Sequence, residues 1–332
     1  MIRRLASILM AGTIGLTLTL GCGDSSKSSA PPSGDSGPRK VSLVLNWFPE
    51  AEHGGYYAAL VHGLYAEEGL DVEIIGGGVD VPVIALVATR RHQFGVANAD
   101  DVIMGRAEQA NVVSLMAPMQ NSPRVIMVHA DSGINSLADL RNITLAMGTG
   151  SGFGAFVAKR YPLENVKIVP YPGSISIFLN DKNFAQQAYN ISEPFVATKN
   201  GGNPRNIFVS EYGYNPYTSL LITANATLQA DRDTARRMVR ASIKGWELYM
   251  KDPEKTNRHI NSLNPEMGMD ILEFGVREMQ QLVFNEDTAK SGLGTMTATR
   301  WQQMVEVMES VDLVRAGRVK PQECFTMEFL EP

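Results

Sequence analysis

The sequence predicts an α/β fold of two lobes, joined by a two-strand hinge with a ligand cleft between them. Three observations carry this expectation. Short β-rich runs alternate with helical patterns over residues 41–223, which is more layered chain than one small core holds. After Thr223 only helical spacing remains. Two Pro- and Gly-bearing segments, 118–123 and 212–216, offer points where the chain can enter a second lobe and return. The expected partition is 41–123 for the first part of lobe 1, 124–216 for lobe 2, and 217–332 for the rest of lobe 1.

Composition excludes several classes. With 332 residues, 44% hydrophobic and 20% charged, the chain is neither collagen-like nor wholly disordered. Thirty Lys+Arg against 35 Asp+Glu give a net charge of −5, which leaves no overall basic surface for nucleic acid. Two cysteines cannot build a disulfide scaffold or a Cys-rich zinc site.

Residues 1–22 read as an address. Arg3 and Arg4 precede an uncharged apolar run over 5–20, a little short for a stable membrane span, and small residues follow. The exit Leu18-Thr19-Leu20-Gly21-Cys22 resembles a bacterial lipobox with Cys22 as the lipidated residue, although Thr19 stands where that motif prefers Leu. A simple signal peptide, or an uncleaved anchor with an incidental Cys22, is the plainer alternative. A Cys22–Cys324 bridge is another. Residues 23–40 are rich in Ser, Gly, Pro and Asp, so a disordered tether is expected there.

Strands are expected at 41–45, 71–75, 94–98, 112–116, 125–129, 143–147, 166–169, 207–210 and 219–223. Tyr57, Val61, Leu64 and Tyr65 share a helical face, and Gly69 supplies a stop. Ser136 with Asp139 fits a capping box. Over 231–251, Ala235, Met238, Val239, Trp246, Tyr249 and Met250 recur at helical spacing until Pro253 ends the pattern. Further helices are expected at 265–282 and 298–311.

The run Val44-Leu45-Asn46-Trp47-Phe48-Pro49-Glu50-Ala51-Glu52-His53-Gly54-Gly55-Tyr56-Tyr57, followed by Tyr65-Ala66-Glu67-Glu68-Gly69-Leu70-Asp71-Val72, is distinctive. It resembles the opening of ABC-transporter solute-binding proteins of the thiamine-pyrimidine-precursor type, relatives of the sulfonate and nitrate binders. Gln186-Gln187-Ala188-Tyr189-Asn190-Ile191-Ser192-Glu193-Pro194-Phe195 resembles that family's second-lobe ligand segment, and Phe94-Gly95-Val96-Ala97-Asn98-Ala99-Asp100 its short strand and helix entry. The resemblance runs from residue 41 to the C-terminus. It implies a periplasmic-binding-protein-like fold of type II, a small planar N-heterocycle such as a thiamine pyrimidine precursor as ligand, and an ABC permease as partner. It also implies a monomer at the extracytoplasmic face of the cell envelope, held to the membrane through Cys22.

Candidate ligand residues follow from both readings. Trp47 and Tyr56, with Phe48 and Tyr57, crowd a strand-to-helix loop. An aromatic face there stacks on a flat heterocycle, at about 1–3 kcal/mol by analogy with bases, or else packs in the core. Asn46, Glu50 and His53 are polar contacts or turn and cap residues. Asn98 and Asp100 fall where a strand yields to a helix, the favoured ligand edge of an α/β sheet; an N-cap at Asp100 is the alternative. In the glycine run from Gly148, the backbone N–H groups of Gly150, Ser151 and Gly152 can hold an anionic group, or the run is a plain turn. Gly150, Gly152 and Ala155 meet the loose dinucleotide spacing, but no acid follows about 20 residues on, so no dinucleotide site is expected.

Tyr189 and Glu193 form the sharpest pair. A carboxylate accepts two hydrogen bonds, matching an amino group beside a protonated ring nitrogen, and the resemblance places this segment at the ligand. Otherwise Glu193 is a helix-start acid before Pro194. The sequence holds no HExxH, GxxxxGK[ST], GxSxG or CxxC. Related fungal pyrimidine synthases carry an iron-linked cysteine-rich stretch that is missing here, although His53 stands near a reactive histidine of that branch. A binding protein without catalysis, cofactor or metal is therefore expected. The rival readings are a sulfonate- or nitrate-type anion receptor built on the glycine run, an exported pyrimidine-forming or hydrolytic enzyme, or a sensory input domain.

Overall fold

The computed structural model describes residues 37–148 and 150–330. The expected lipobox with Cys22, the expected tether as far as residue 36, and Thr149 of the glycine run lie outside the described residues, and the tether expected to reach residue 40 stops short of it because Arg39 and Lys40 belong to the first strand.

The chain opens with β1 (Arg39–Val44), α1 (Gly54–Val61), α2 (Leu64–Glu67), β2 (Leu70–Ile75), α3 (Val83–Ala88), β3 (Phe94–Ala97), α4 (Ala99–Ala107) and β4 (Val112–Met116). It then crosses to β5 (Arg124–His129), β6 (Thr144–Ala146), α5 (Gly152–Arg160), β7 (Lys167–Val169), α6 (Ser176–Asn180), β8 (Phe184–Tyr189), α7 (Glu193–Lys199) and β9 (Pro204–Phe208). It returns in β10 (Leu220–Ala224) and ends in α8 (Asn225–Ala230), α9 (Arg232–Lys251), α10 (Glu254–Leu263), α11 (Met269–Val283), α12 (Glu286–Ser291) and α13 (Ala298–Ser310).

Two mixed five-stranded sheets result, ordered β2-β1-β3-β10-β4 and β7-β6-β8-β5-β9. In each, one strand runs against its neighbours: β10 is antiparallel to β3 and β4, and β5 is antiparallel to β8 and β9. Sheet-and-helix layers of this kind make the two-lobe α/β architecture the alternation predicts, and one cluster of buried apolar residues takes in strands of both sheets, among them Ile222 and Ile126.

The helical C-terminal region earns its place by packing. Asp231 caps α9 by accepting from the Thr234 N–H at 3.0 Å, and the expected stripe from Ala235 to Met250 is buried. Trp246 and Tyr249 of α9 lie directly against Gly54 and Gly55 of α1, where a Cβ would sit 1.9–2.1 Å from their rings. That contact fixes how the chain enters α1, and with it the turn carrying Glu50–His53.

Several local expectations shift. The strand expected at 207–210 is Pro204–Phe208, because residues 209–212 close into a 3-10 turn. The Ser136/Asp139 pair starts only a single 3-10 turn, Leu137–Asp139, with Ser136 Oγ donating to Asp139 Oδ2 at 2.8 Å. Strand β8, in the middle of the second sheet, was not among the expected strands.

The crossing segments, residues 117–123 and 213–219, lie side by side. Met119 and Thr218 form a bridge, the Thr218 N–H donating to Met119 O at 3.1 Å, and the Ser122 N–H donates to Asn215 Oδ1 at 2.9 Å. Arg300 of α13 donates to the carbonyls of both Gln120 and Asn215, and its guanidinium lies 4.0 Å over the Tyr217 ring. The hinge is thus gripped by the C-terminal helix.

Candidate functional site

A cavity of about 730 Å³ opens between the two sheets, within the range of small-molecule sites. Lobe 1 supplies Asn46, Trp47, Glu50 and Glu52 from the β1–α1 segment, and Asn98 and Asp101 from the start of α4. Lobe 2 supplies Ser151, Tyr171, Gln187, Tyr189 and Glu193, with Arg124 at the crossing. Val81, Pro82, Val83, Ile84 and Met104 make up much of the apolar wall.

The β1–α1 turn brings three acids and amides together. His53 is fully buried, its Nε2 2.9 Å from Asn46 Oδ1 and 2.9 Å from Glu52 Oε1. With its N–H directed at Asn46, the ring stands beside Glu52 Oε1, and Oε2 of Glu52, a residue only 1% exposed, has no hydrogen-bond partner among the described residues. Glu50 is 5% exposed. Burial, with the carboxylates of Glu52 and Glu193 nearby, pushes its carboxyl well above the usual range, and no hydrogen bond counters them.

Glu193, by contrast, is already occupied by the protein. Its Oε1 accepts from the Tyr171 hydroxyl at 2.6 Å, and its Oε2 accepts from the Tyr189 N–H at 3.0 Å and the Ser192 hydroxyl at 2.6 Å. It faces the cavity but serves as the tie between α7, the end of β8 and the loop bearing Tyr171. Burial and the Glu193 carboxylate raise the Tyr171 hydroxyl's pKa, so that hydroxyl stays a donor.

At the other wall, Arg124 pairs across the sheet with Tyr189. Its guanidinium lies 5.1 Å from the Phe153 ring centroid and 5.4 Å from that of Tyr189. Its Nη2 donates to the Tyr189 hydroxyl at 3.4 Å, while its Nε is buried without a partner. Burial favours the neutral form of Arg124, but Tyr189, Asp100, Tyr214 and Asp101 together outweigh it and hold the group charged. Asp101 is pushed up to about 7, first by burial and then by Asp100 beside it, with Arg124 and the Asn98 N–H acting in the opposite sense.

Of the residues singled out in the sequence, Asn46, Trp47, Glu50, Asn98, Ser151, Tyr189 and Glu193 line the cavity. His53, Tyr56, Asp100, Gly150 and Gly152 do not. His53 lies behind Asn46 and Glu52. Tyr56 is spent on the core: its hydroxyl donates to Ser219 O at 2.7 Å and its ring meets Trp246 edge-on. Asp100 is not the N-cap of α4; Asn98 is, with its N–H donating to Asp101 Oδ2 at 3.2 Å. Asp100 instead accepts from the Tyr214 hydroxyl at 2.7 Å.

The glycine run is a close-packed turn. A Cβ on Gly152 would sit 2.2 Å from the Tyr214 hydroxyl and 3.2 Å from Asp100 Oδ2, and one on Gly154 would sit 2.2 Å from Gly148 O. Ser151 caps α5, its Oγ accepting from the Gly154 N–H at 3.2 Å and donating to Gly148 O at 2.6 Å. Gly150 is exposed and meets nothing. The Asp100 carboxylate beside Gly152 makes this helix start unfavourable for an anion.

Sequence reasoning missed Glu52, Asp101, Arg124, Tyr171 and Gln187. Glu52 was findable, since it separates Glu50 from His53. Arg124 and Tyr171 reach the cavity only through the pairing of β5 with β8 and the return of the loop after β7.

The same arrangement of lobes occurs in known proteins. The aliphatic sulfonate-binding protein SsuA of Escherichia coli superposes with a TM-score of 0.65 at 12% identity, over 86% of this chain and 91% of that one, so the fold is that of periplasmic binding proteins. The formylaminopyrimidine-binding protein of Halalkalibacterium halodurans is 23% identical over 84% of this chain and 88% of its own length. The riboflavin-binding protein RibY of Chloroflexus aurantiacus is 24% identical over 91% of this chain and 90% of its own. Residues 50–256 match the family described as NMT1/THI5 like, a span that begins at the Glu50 turn and takes in Arg124, Tyr171, Tyr189 and Glu193; the chain belongs to that family.

Proposed function

We propose that this protein is the substrate-binding receptor of an ABC importer and that it captures a planar nitrogen heterocycle, a pyrimidine precursor of thiamine or a larger ring of that chemistry, between its lobes. One observation carries the reading: the interlobe cavity combines the facing rings of Trp47 and Tyr171 with the buried acids Glu50 and Glu52. Flat faces select a planar ring, and carboxyl groups select its N–H edge. The two relatives named for pyrimidine and flavin ligands support the same class. Closure of the lobes, taken as 41–123 with 217–332 and as 124–216, would bury the ligand and present a matched surface to the permease.

Capture rather than catalysis is the proposed activity, by a monomer at the outer face of the membrane, lipid-anchored at Cys22. The order of basic end, apolar run and Leu-Gly-Cys exit supports the anchor. The test is a thermal-shift and calorimetric screen of the purified chain against aminopyrimidines, riboflavin, alkanesulfonates and nitrate. A ligand at 100 times its Kd stabilises by about 2.7 kcal/mol. Stabilisation by a heterocycle is expected. Stabilisation by sulfonate or nitrate alone would replace this reading with an anion receptor, and turnover of a heterocycle into a new product would replace it with an enzyme.

A further inference from the structure

Resting on that reading of the cleft, we propose that Glu50 and Glu52, not Glu193, are the acid pair that reads the ligand. They require a hydrogen-bond-donating edge, an amino group or ring N–H, at one end of the heterocycle and a hydrogen-bond acceptor at the other end, toward Arg124.

The argument is one of satisfied and unsatisfied groups. Buried polar atoms are nearly always hydrogen-bonded, so those left without partners in a cavity wall mark where a ligand completes them. Glu52 Oε2 is in this position among the described residues, on a side chain at 1% exposure that lines the cavity. Glu193 is in the opposite one, since three donors of the protein already fill it.

The two acids differ in what they offer. Glu52 offers the acceptor Oε2, while its Oε1 lies 2.9 Å from His53 Nε2. Glu50, held toward its protonated form by burial and by the carboxylates around it, also offers an O–H. A donor next to an acceptor is complementary to an edge in which an amino group flanks an unprotonated ring nitrogen, or an imide N–H flanks a carbonyl. Across the cavity, Arg124 Nε is a buried donor without an acceptor. Tyr189 stands at the Arg124 pole, its hydroxyl accepting from Arg124 Nη2. The bound molecule therefore has a direction.

The test measures affinity and stability together. The probes are riboflavin and a 4-aminopyrimidine carrying a formamidomethyl arm, each against the same ring with its amino or imide N–H methylated. Glu52→Gln is expected to weaken the better probe about tenfold or more, the scale of a hydrogen bond to a charged group. It is also expected to lower the melting temperature of the ligand-free protein less than Glu193→Gln does, because Glu52 gives up one contact, with His53, and Glu193 gives up three hydrogen bonds. Glu193→Gln should lower that melting temperature. Methylating the N–H edge should abolish the difference between wild type and Glu52→Gln, and Arg124→Met should discriminate against the formamide arm or flavin carbonyls.

Should Glu52→Gln fail to fold, Glu50→Gln carries the same affinity expectation. Unchanged affinity in the Glu50 and Glu52 variants, with loss in Glu193→Gln, would overturn the proposal while leaving the receptor reading intact. Binding of neither probe by wild type would overturn both.

Discussion

Trp47 of lobe 1 and Tyr171 of lobe 2 face each other across the cleft, with ring centroids 6.5 Å apart and planes inclined by 29°. The pair spans the two lobes, and the Tyr171–Glu193 hydrogen bond holds it on the Tyr171 side. Trp47 also meets Phe48 edge-on at 5.6 Å, and Phe48 is 47% exposed at the rim. Removing either ring of the facing pair takes a wall from the cavity without opening a core.

Trp47→Ala should therefore weaken a bound heterocycle by about 1–3 kcal/mol, the scale of one aromatic stack, with little change in the melting temperature of the free protein. Tyr171→Phe keeps the ring and removes the hydroxyl. It should cost about 1–2 kcal/mol of stability through the donor lost to Glu193. Calorimetry and thermal denaturation of the two variants separate these effects.

The carboxyl of Asp101, raised to about 7 from an ordinary 3.8, makes stability depend on pH. The folded state holds this proton more tightly than the unfolded state does. The stabilising contribution is full below about pH 3.8, falls as pH rises, and is lost once pH passes about 7. Urea denaturation between pH 4 and pH 8 should show that decline superposed on the other titrations. In Asp101→Asn the decline between pH 4 and pH 7 should be shallower; an identical slope would show that the group does not titrate in this window.

Arg300 links α13 to both crossing segments through the Gln120 and Asn215 carbonyls. Arg300→Met keeps some of the stem but leaves both carbonyls without that donor. A loss of about 1–3 kcal/mol in unfolding free energy is expected. Small-angle scattering should show a wider spread of lobe angles than in wild type, because the grip on the hinge is gone.

Gly245 of α9 meets Gly55 O at 2.3 Å and the Ala59 Cβ at 2.7 Å from the position of an added Cβ. Gly245→Ala must push α1 away from α9. Overpacking of this kind costs about 1–3 kcal/mol, against a gain of under 1 kcal/mol from better helix propensity, so chemical denaturation should register a net loss.

Legibility followed how local each signal was. Helix α9 could be read because one stripe of apolar residues and one capping Asp are contiguous in sequence. Strand β8 could not, because Gln186 and Gln187 sit at its centre, where β-rich patterning expects apolar or β-branched residues. Gln187 Oε1 accepts from the Gly148 N–H at 2.8 Å, a partner 39 residues away that no pattern along the chain announces. In the site, Asn46, Trp47 and Glu50 were legible as one dense run. Glu193 was legible as a cavity-wall acid, but not that Tyr171, Tyr189 and Ser192 donate to its oxygens. The glycine run is ambiguous in sequence for a related reason: close packing against Tyr214 and Asp100 calls for the same residue as close approach to an anion.

The order of the first sheet has a consequence for biogenesis. Strand β10 lies between β3 and β4, yet it is made after every strand of the second sheet. As the polypeptide is extended from its N-terminus, the second sheet can complete its ladders while the first still has two open edges, at β3 and β4, waiting for a partner. Such edges invite pairing with other chains. A truncation after β9 would leave that gap permanently open, and its product should aggregate although lobe 2 is whole. Premature termination and C-terminal proteolysis are thus more damaging to this protein than the position of its cavity would suggest.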